Sequence, residues 1–121
     1  MNVFDASALL AFLQGEEGSE LVESGLTTES VCGAANWSEV AQKVASREQD
    51  WGLVKALLQS YGLEVEPVLT VDAESAAMSW RPGTGLSLAD RLCMALGRRL
   101  DADVWTADRH WGSQPKIRQI R

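Results

Sequence analysis

The stretch Val3-Phe4-Asp5-Ala6-Ser7-Ala8-Leu9-Leu10 places one carboxylate between two apolar segments. Val3-Phe4 predicts a short buried strand that ends at Asp5, and residues Ala6 to Leu13 predict a helix that stops at Gly15. A carboxylate in such a run needs partners, because burying it alone costs several kcal/mol or forces its protonation. This strand–acid–helix order predicts a site at the carboxyl end of the first strand.

Strands and helices continue to alternate along the chain. Further strands are predicted at Thr28–Cys32, Leu63–Leu69, Asp103–Thr106 and Ile117–Ile120. Further helices are predicted at Gly18–Ser24, Ala35–Arg47, Trp51–Ser60, Thr70 (or Asp72) to Trp80, and Leu88–Arg99 with Ser87 as its cap. This order predicts an α/β fold, a single domain with a parallel central sheet and helices on both faces. In such sheets, ligands bind at the carboxyl ends of the strands.

Helical spacing also places apolar side chains on one face of a helix, where they can enter the core or, for the second stripe below, an interface with a partner. One apolar stripe comprises Trp37, Val40, Ala41 and Val44, a second Leu53, Leu57 and Tyr61, and a third Leu88, Leu92 and Leu96. Four tryptophans occupy core-like positions, namely Trp37, Trp51, Trp80 and Trp105. Trp111 follows an acidic motif, and both burial and contact with a substrate remain open for it.

Charge is divided unevenly between the two parts of the chain. Residues 1–80 carry three basic side chains against 13 acids, a net −10, whereas residues 81–121 carry eight against four, a net +4. An acidic chain is a poor general binder of nucleic acid, because phosphate contacts supply most of that affinity. The basic C-terminal third could still hold a phosphodiester beside a metal site, or could simply be a solvated surface.

Three more acids lie in apolar or small-residue contexts, at Glu39, Asp90 and Asp108. Each has a plain alternative, since Glu39 could be a solvated helix residue, Asp90 a helix-start acid and Asp108 a turn aspartate. If all four acids converge, they form a site of oxygen ligands for a hard divalent cation. A single histidine, His110, excludes catalytic triads and multi-histidine metal sites.

Four separated motifs then occur in an order that resembles PIN-domain proteins, in particular the VapC-type toxins of bacterial toxin–antitoxin pairs. The motifs are Val-Phe-Asp-Ala-Ser-Ala-Leu-Leu at 3–10, Trp-Ser-Glu-Val at 37–40, Leu-Ser-Leu-Ala-Asp at 86–90 and Val-Trp-Thr-Ala-Asp-Arg-His-Trp at 104–111. The resemblance implies one PIN domain over residues 1–121 and a ribonuclease that needs Mg²⁺ or Mn²⁺. It assigns catalysis to Asp5, Glu39, Asp90 and Asp108, metal binding to Asp5, Asp90 and Asp108, and supporting roles to Ser7 and Thr106.

Two arginines adjoin predicted acids in sequence, Arg91 and Arg109. They are candidates either to clamp the scissile phosphate or to hold the carboxylates through salt bridges. The resemblance also implies a small VapB-like antitoxin, an RNA substrate and a homodimer. The alternative is a PIN-like module that binds RNA or a partner without cutting it. Cys32 and Cys93 are expected to be reduced core residues, and the absence of a long apolar segment predicts a cytoplasmic chain without a membrane association.

Overall fold

A five-stranded, fully parallel sheet forms the centre of the computed structural model, which describes residues 1–121. The strands are β1 (Asn2–Phe4), β2 (Ser30–Gly33), β3 (Glu64–Glu66), β4 (Asp103–Thr106) and β5 (Ile117–Gln119). Their spatial order is β3-β2-β1-β4-β5, so β1 is central and pairs with both β2 and β4. The predicted α/β class and parallel sheet are confirmed.

Six helices cover the two faces of this sheet. They are α1 (Ala6–Gln14), α2 (Ser19–Leu26), α3 (Ala34–Ser46), α4 (Trp51–Ser60), α5 (Thr70–Met78) and α6 (Leu88–Leu100). Neighbouring residues of β1 face opposite sides, because side chains alternate along a strand. Phe4 belongs to a core cluster with residues of α1 to α4, and Val3 belongs to a second cluster with residues of α6. None of the helices is both long and apolar enough to cross a lipid bilayer.

Packing rather than local pattern decides where the predicted elements were wrong. The helix predicted to end at Ser24 continues through Gly25 to Leu26. A Cβ at Gly25 would lie 2.8 Å from Cη2 of Trp105 and 3.0 Å from Cζ of Phe4, so glycine lets the helix approach the sheet closely. The stripe predicted on α6 is also incorrect at its start, since Leu88 is 57% exposed and the buried residues are 93–97.

The burial of the five tryptophans differs in part from the prediction. Trp105 is buried as predicted, whereas Trp80 is 56% exposed and is not a core residue. Trp37 and Trp51 are half-buried and pack against each other edge to face, with ring centroids 5.1 Å apart. Trp111 is 1% exposed and packs in the core cluster of α6, which leaves it no surface with which to contact a substrate.

Candidate active site

Asp5 is held at the junction of β1 and α1, where it is only 2% exposed. It is the N-cap of α1, and its Oδ1 accepts a hydrogen bond of 2.8 Å from the backbone N–H of Ala8. The free N–H groups and the dipole of a helix N-terminus stabilise an anion. The strand end and the helix start together fix the position of this carboxylate.

Two hydroxyl groups add to this anchoring from two elements. Ser7 Oγ lies 2.7 Å from Oδ1 of Asp5, and Thr106 Oγ1, at the end of β4, lies 2.5 Å from Oδ2. The hydroxyl oxygens in turn accept the N–H groups of Ala107 (2.9 Å, to Ser7) and Asp108 (3.0 Å, to Thr106). These bonds turn both hydroxyl hydrogens toward Asp5. The carboxylate therefore receives three hydrogens and keeps about one of its four acceptor positions free.

Burial and neighbouring negative charge oppose the ionisation of two carboxyl groups in the site, those of Asp5 and Glu39. Burial raises the pKa of Asp5 to about 6, although hydrogen bonds from Thr106, Ala8 and Ser7 act to lower it, and nearby Asp90 raises it further. The pKa of Glu39 is raised as well, first by partial desolvation of its carboxyl group and then by Asp90, even though the residue as a whole is exposed. A positive charge bound among these groups would relieve both effects.

Asp90 and Asp108 are each tied to the start of a helical segment. Asp90 forms a capping box with Ser87, in which Asp90 Oδ2 accepts from Ser87 N at 2.9 Å and Ser87 Oγ accepts from Asp90 N at 3.1 Å. Asp108 caps the short 3₁₀ helix 109–111, and its Oδ1 accepts from the backbone N of His110 at 2.9 Å. The ring Nδ1 of His110 lies 3.0 Å from the same oxygen. Each aspartate retains an oxygen outside these bonds.

Asn36 is a buried polar residue of the site that the sequence analysis did not identify. It is 2% exposed, its Oδ1 accepts from the N–H of Ala6 at 2.9 Å, and its Nδ2 donates to the carbonyl of Ala89 at 3.2 Å. It thus joins the first residue of α1 to the first turn of α6, next to Asp5 and Asp90. Its spacing of four and eight residues from Val40 and Val44, which are buried, was the available signal.

All four predicted acids line one cavity of about 350 Å³ at the carboxyl ends of the strands. Ser7 and Asn36 also line it, while Thr106 acts from beneath, fully buried. No three acids, histidines or cysteines lie close enough together to hold a metal ion as they stand. The donor set nevertheless fits a hard cation, because it consists of carboxylate oxygens and keeps free acceptor positions. Holding an ion requires side chains of the set to move toward it.

The two predicted arginines do not reach this cavity. Arg91 Nη1 donates to the carbonyl of Ala76 on α5 at 2.8 Å, and Arg109 is exposed on the 3₁₀ helix. Neither takes part in an ion pair, so the alternative role of bridging the carboxylates is not formed either. The basic residue that does line the cavity is Lys43 of α3.

Comparison with known proteins places the chain in a family. Residues 3–116 match the PIN domain family. A VapC ribonuclease of Mycobacterium bovis and the ribonuclease VapC42 of Mycobacterium tuberculosis are each 31% identical over 107 aligned residues, which cover 79% of this chain and 82% of the relative. The chain belongs to the PIN domain family. Within that family, the relatives that it matches are VapC ribonucleases.

Solved structures show the same fold over the whole length. A toxin–antitoxin complex from Klebsiella pneumoniae aligns with a TM-score of 0.81 at 16% identity, covering 100% of this chain and 98% of the other. VapC20 of Mycobacterium tuberculosis, described as a toxin that cleaves the sarcin–ricin loop, aligns with a TM-score of 0.73 at 15% identity, covering 98% and 99%. At such low identity, these similarities concern the fold alone.

Proposed function

We propose that this chain is a divalent-metal-dependent endoribonuclease and the toxin of a type II toxin–antitoxin pair. One observation carries the proposal: four carboxylates line a single cavity at the strand ends, and the most buried of them, Asp5, receives three oriented hydrogen bonds. A buried carboxylate that the protein stabilises with several hydrogen bonds serves either the structure alone or the binding of a cation. Because Asp5 lines a cavity with three other carboxylates, cation binding is the role we propose for it. The names of the VapC ribonuclease relatives support the reaction class.

Three aspartates, Asp5, Asp90 and Asp108, would hold Mg²⁺ or Mn²⁺. When bound, such an ion supplies positive charge to the phosphate and lowers the pKa of a water molecule. The protein contributes the positions of the ligands. Asp5 is fixed by its hydroxyl partners, and Asn36 keeps the starts of α1 and α6 together.

Glu39 has a separate role in this proposal. Glu39 lines the same cavity as the three aspartates and is not one of the proposed metal ligands, so its carboxylate is available as a base. We assign it to accept a proton from the attacking water as the phosphodiester is hydrolysed. The products expected from the family resemblance are a 3′-hydroxyl and a 5′-phosphate.

A small antitoxin would silence the site by covering it. A guanidinium from such a partner can pair bidentately with the cavity carboxylates, in the place of the metal. Apolar contacts are available on α4, where Leu53 is 70% and Leu57 44% exposed. The relative solved as a toxin–antitoxin complex supports a partner of this kind, and a homodimer of the chain is part of the same proposal.

The test of the nuclease is cleavage of single-stranded RNA by the purified chain with Mg²⁺, with Mn²⁺ and with chelator. We expect cleavage only with metal, at least 100-fold slower for Glu39→Gln, and unchanged for the control Glu64→Gln on the exposed edge strand β3. Cleavage in chelator at the same rate as with Mg²⁺ or Mn²⁺ would contradict the metal-dependent mechanism. Binding of RNA without cleavage under every condition would favour the non-catalytic module.

The toxin assignment has its own experiment. Overproduction of the chain should stop growth, and co-expression with the adjacent small open reading frame should restore it and yield a complex. If growth is unchanged and the chain is recovered alone, the toxin assignment fails while the nuclease can stand.

A further inference from the structure

One wall of the cavity is the polar face of α3. Glu39, Gln42, Lys43 and Ser46 all line it, at spacings of three, four and seven residues. These spacings place side chains on a single helix face. The wall therefore extends away from the acids, and Lys43 is its only cation.

Lys43 is free to bind a ligand. Its ammonium group forms no ion pair or hydrogen bond within the chain, although Glu39 is one turn away on the same helix. Ser46 Oγ, by contrast, is bonded to the carbonyl of Lys43 at 2.8 Å. Because the ammonium of Lys43 is not paired with Glu39, it can pair with an anion that enters the cavity.

The position of Lys43 on α3 indicates which phosphate group of an RNA strand its ammonium would contact. Four residues of α-helix separate it from Glu39 by about 6 Å along the axis. A phosphate whose ester bond is cut would lie at the carboxylates, and an ammonium based one helix turn farther along the wall would then be nearer to a neighbouring phosphate of the same strand. The cavity has few apolar residues and no aromatic side chain in its wall, which favours contact with the backbone over stacking of bases.

We propose that Lys43, beside Gln42, forms a subsite for a non-scissile phosphate of RNA, next to the phosphate that is cut. This inference rests on the proposed nuclease function. RNA approaching four carboxylates meets repulsion, and a lysine acts as a point charge that attracts a phosphate without reading sequence. The subsite holds the strand in register and contributes to binding more than to the chemical step.

A competing role for Lys43 is to act only through Glu39, by compensating its charge. The Glu39→Gln chain separates the two roles, because it lacks that charge and is expected not to cleave the probe. The probe is a fluorescein-labelled single-stranded RNA oligonucleotide, measured by anisotropy with Mg²⁺ over a range of salt concentrations. Lys43→Gln and Lys43→Arg are introduced into this chain, with Lys55→Gln on the exposed surface of α4 as the matched control.

We expect Lys43→Gln to weaken RNA binding about fivefold to tenfold, the effect of one partly screened charged contact. The slope of log affinity against log salt should fall by about 0.7, the value for one phosphate contact on a single strand. Lys43→Arg should bind within about twofold of the Glu39→Gln parent. Lys55→Gln should bind like that parent.

Equal affinity of the Lys43→Gln and Lys55→Gln chains would overturn the subsite, and so would a failure of the Glu39→Gln parent to bind RNA. In the chain with Glu39 intact, Lys43→Gln should raise KM with little change in kcat, and an unchanged KM would contradict the proposal. If the intact chain does not cleave RNA but binds it through Lys43, the nuclease fails, and Lys43 stands as a phosphate contact without a scissile neighbour. Thermal melting of each variant establishes that it is folded.

Discussion

Replacing Asp5 with asparagine should stabilise the metal-free protein at neutral pH. In the folded state its pKa is raised from 3.8 to about 6, with burial as the largest cause. At about 1.4 kcal/mol per pH unit, this difference destabilises the ionised folded protein by roughly 3 kcal/mol. An amide of the same shape carries no charge and avoids this term.

The hydrogen bonds of Asp5 reduce that gain. The carboxylate accepts from Ser7, Ala8 and Thr106, and an amide has only one acceptor oxygen. Its NH₂ group must face one of these donors, and losing that bond costs about 1–2 kcal/mol. The expected net gain at pH 7.5 is therefore about 1–2 kcal/mol.

The pH dependence tests the cause of this effect. Because the folded pKa is raised, the destabilisation by the wild-type side chain grows as the pH rises from 3.8 to about 6 and is complete above about 6, and it is absent below 3.8, where Asp5 is protonated in both states. The advantage of Asp5→Asn should thus be largest at pH 7.5 and should reverse near pH 3.5, where only the cost of the lost hydrogen bond is left.

The measurement is chemical denaturation of both chains in chelator at several pH values. Asp50→Asn is the control, because Asp50 caps α4 on the exposed surface and asparagine caps helices equally well. A stability difference for Asp5→Asn that does not change between pH 3.5 and pH 7.5 would refute the account of a strained, buried charge.

Three further substitutions test other contacts. Thr106→Val removes a hydrogen bond that stabilises ionised Asp5, so the pKa of Asp5 in the metal-free protein rises, and the titration of its carboxyl group followed by NMR in chelator should move to higher pH; an unmoved titration contradicts the role of this hydroxyl. Asn36→Leu leaves the buried N–H of Ala6 without a partner and removes the bond to the carbonyl of Ala89, and urea denaturation should show a loss of about 2–4 kcal/mol. Gly97→Ala places a Cβ 2.3 Å from Cγ2 of Val104, and the melting temperature should fall by several degrees, corresponding to about 1–3 kcal/mol; an unchanged melting temperature would show that α6 can shift from the sheet.

The local sequence pattern was sufficient to predict which side chains lie at the carboxyl ends of the strands. Asp5 lies between an apolar strand and an apolar helix in sequence, and this order alone predicted its place at the carboxyl end of a strand in a parallel sheet. The same holds for Asp108 after β4 and for Ser87 as the cap of α6. The role of Asn36 was out of reach because its partners are 30 and 53 residues away.

Adjacency in sequence misled the choice of basic residues. Successive residues of a helix point about 100° apart, so Arg91 turns away from its neighbour Asp90 and meets α5 instead. Lys43 is four residues from Glu39 and returns to nearly the same direction, which brings it to the cavity. The stripe on α6 failed for a related reason. Its residues 93–97 are all buried, because this part of the helix lies between the sheet and α5, whereas Leu88 at the helix start is 57% exposed.

The central position of β1 also governs the time at which the cavity can exist during synthesis. Asp5 leaves the ribosome well before its partner Thr106, which follows 101 positions later, and Val3 has no partner on this side until Val104 has been made. At the usual translation rate of about 5–20 residues per second, this interval lasts roughly 5–20 s. During that time the first strand has no neighbour on its β4 side. A nascent or truncated chain that lacks β4 therefore lacks the complete carboxylate site, and the cavity forms only after β4 has been made.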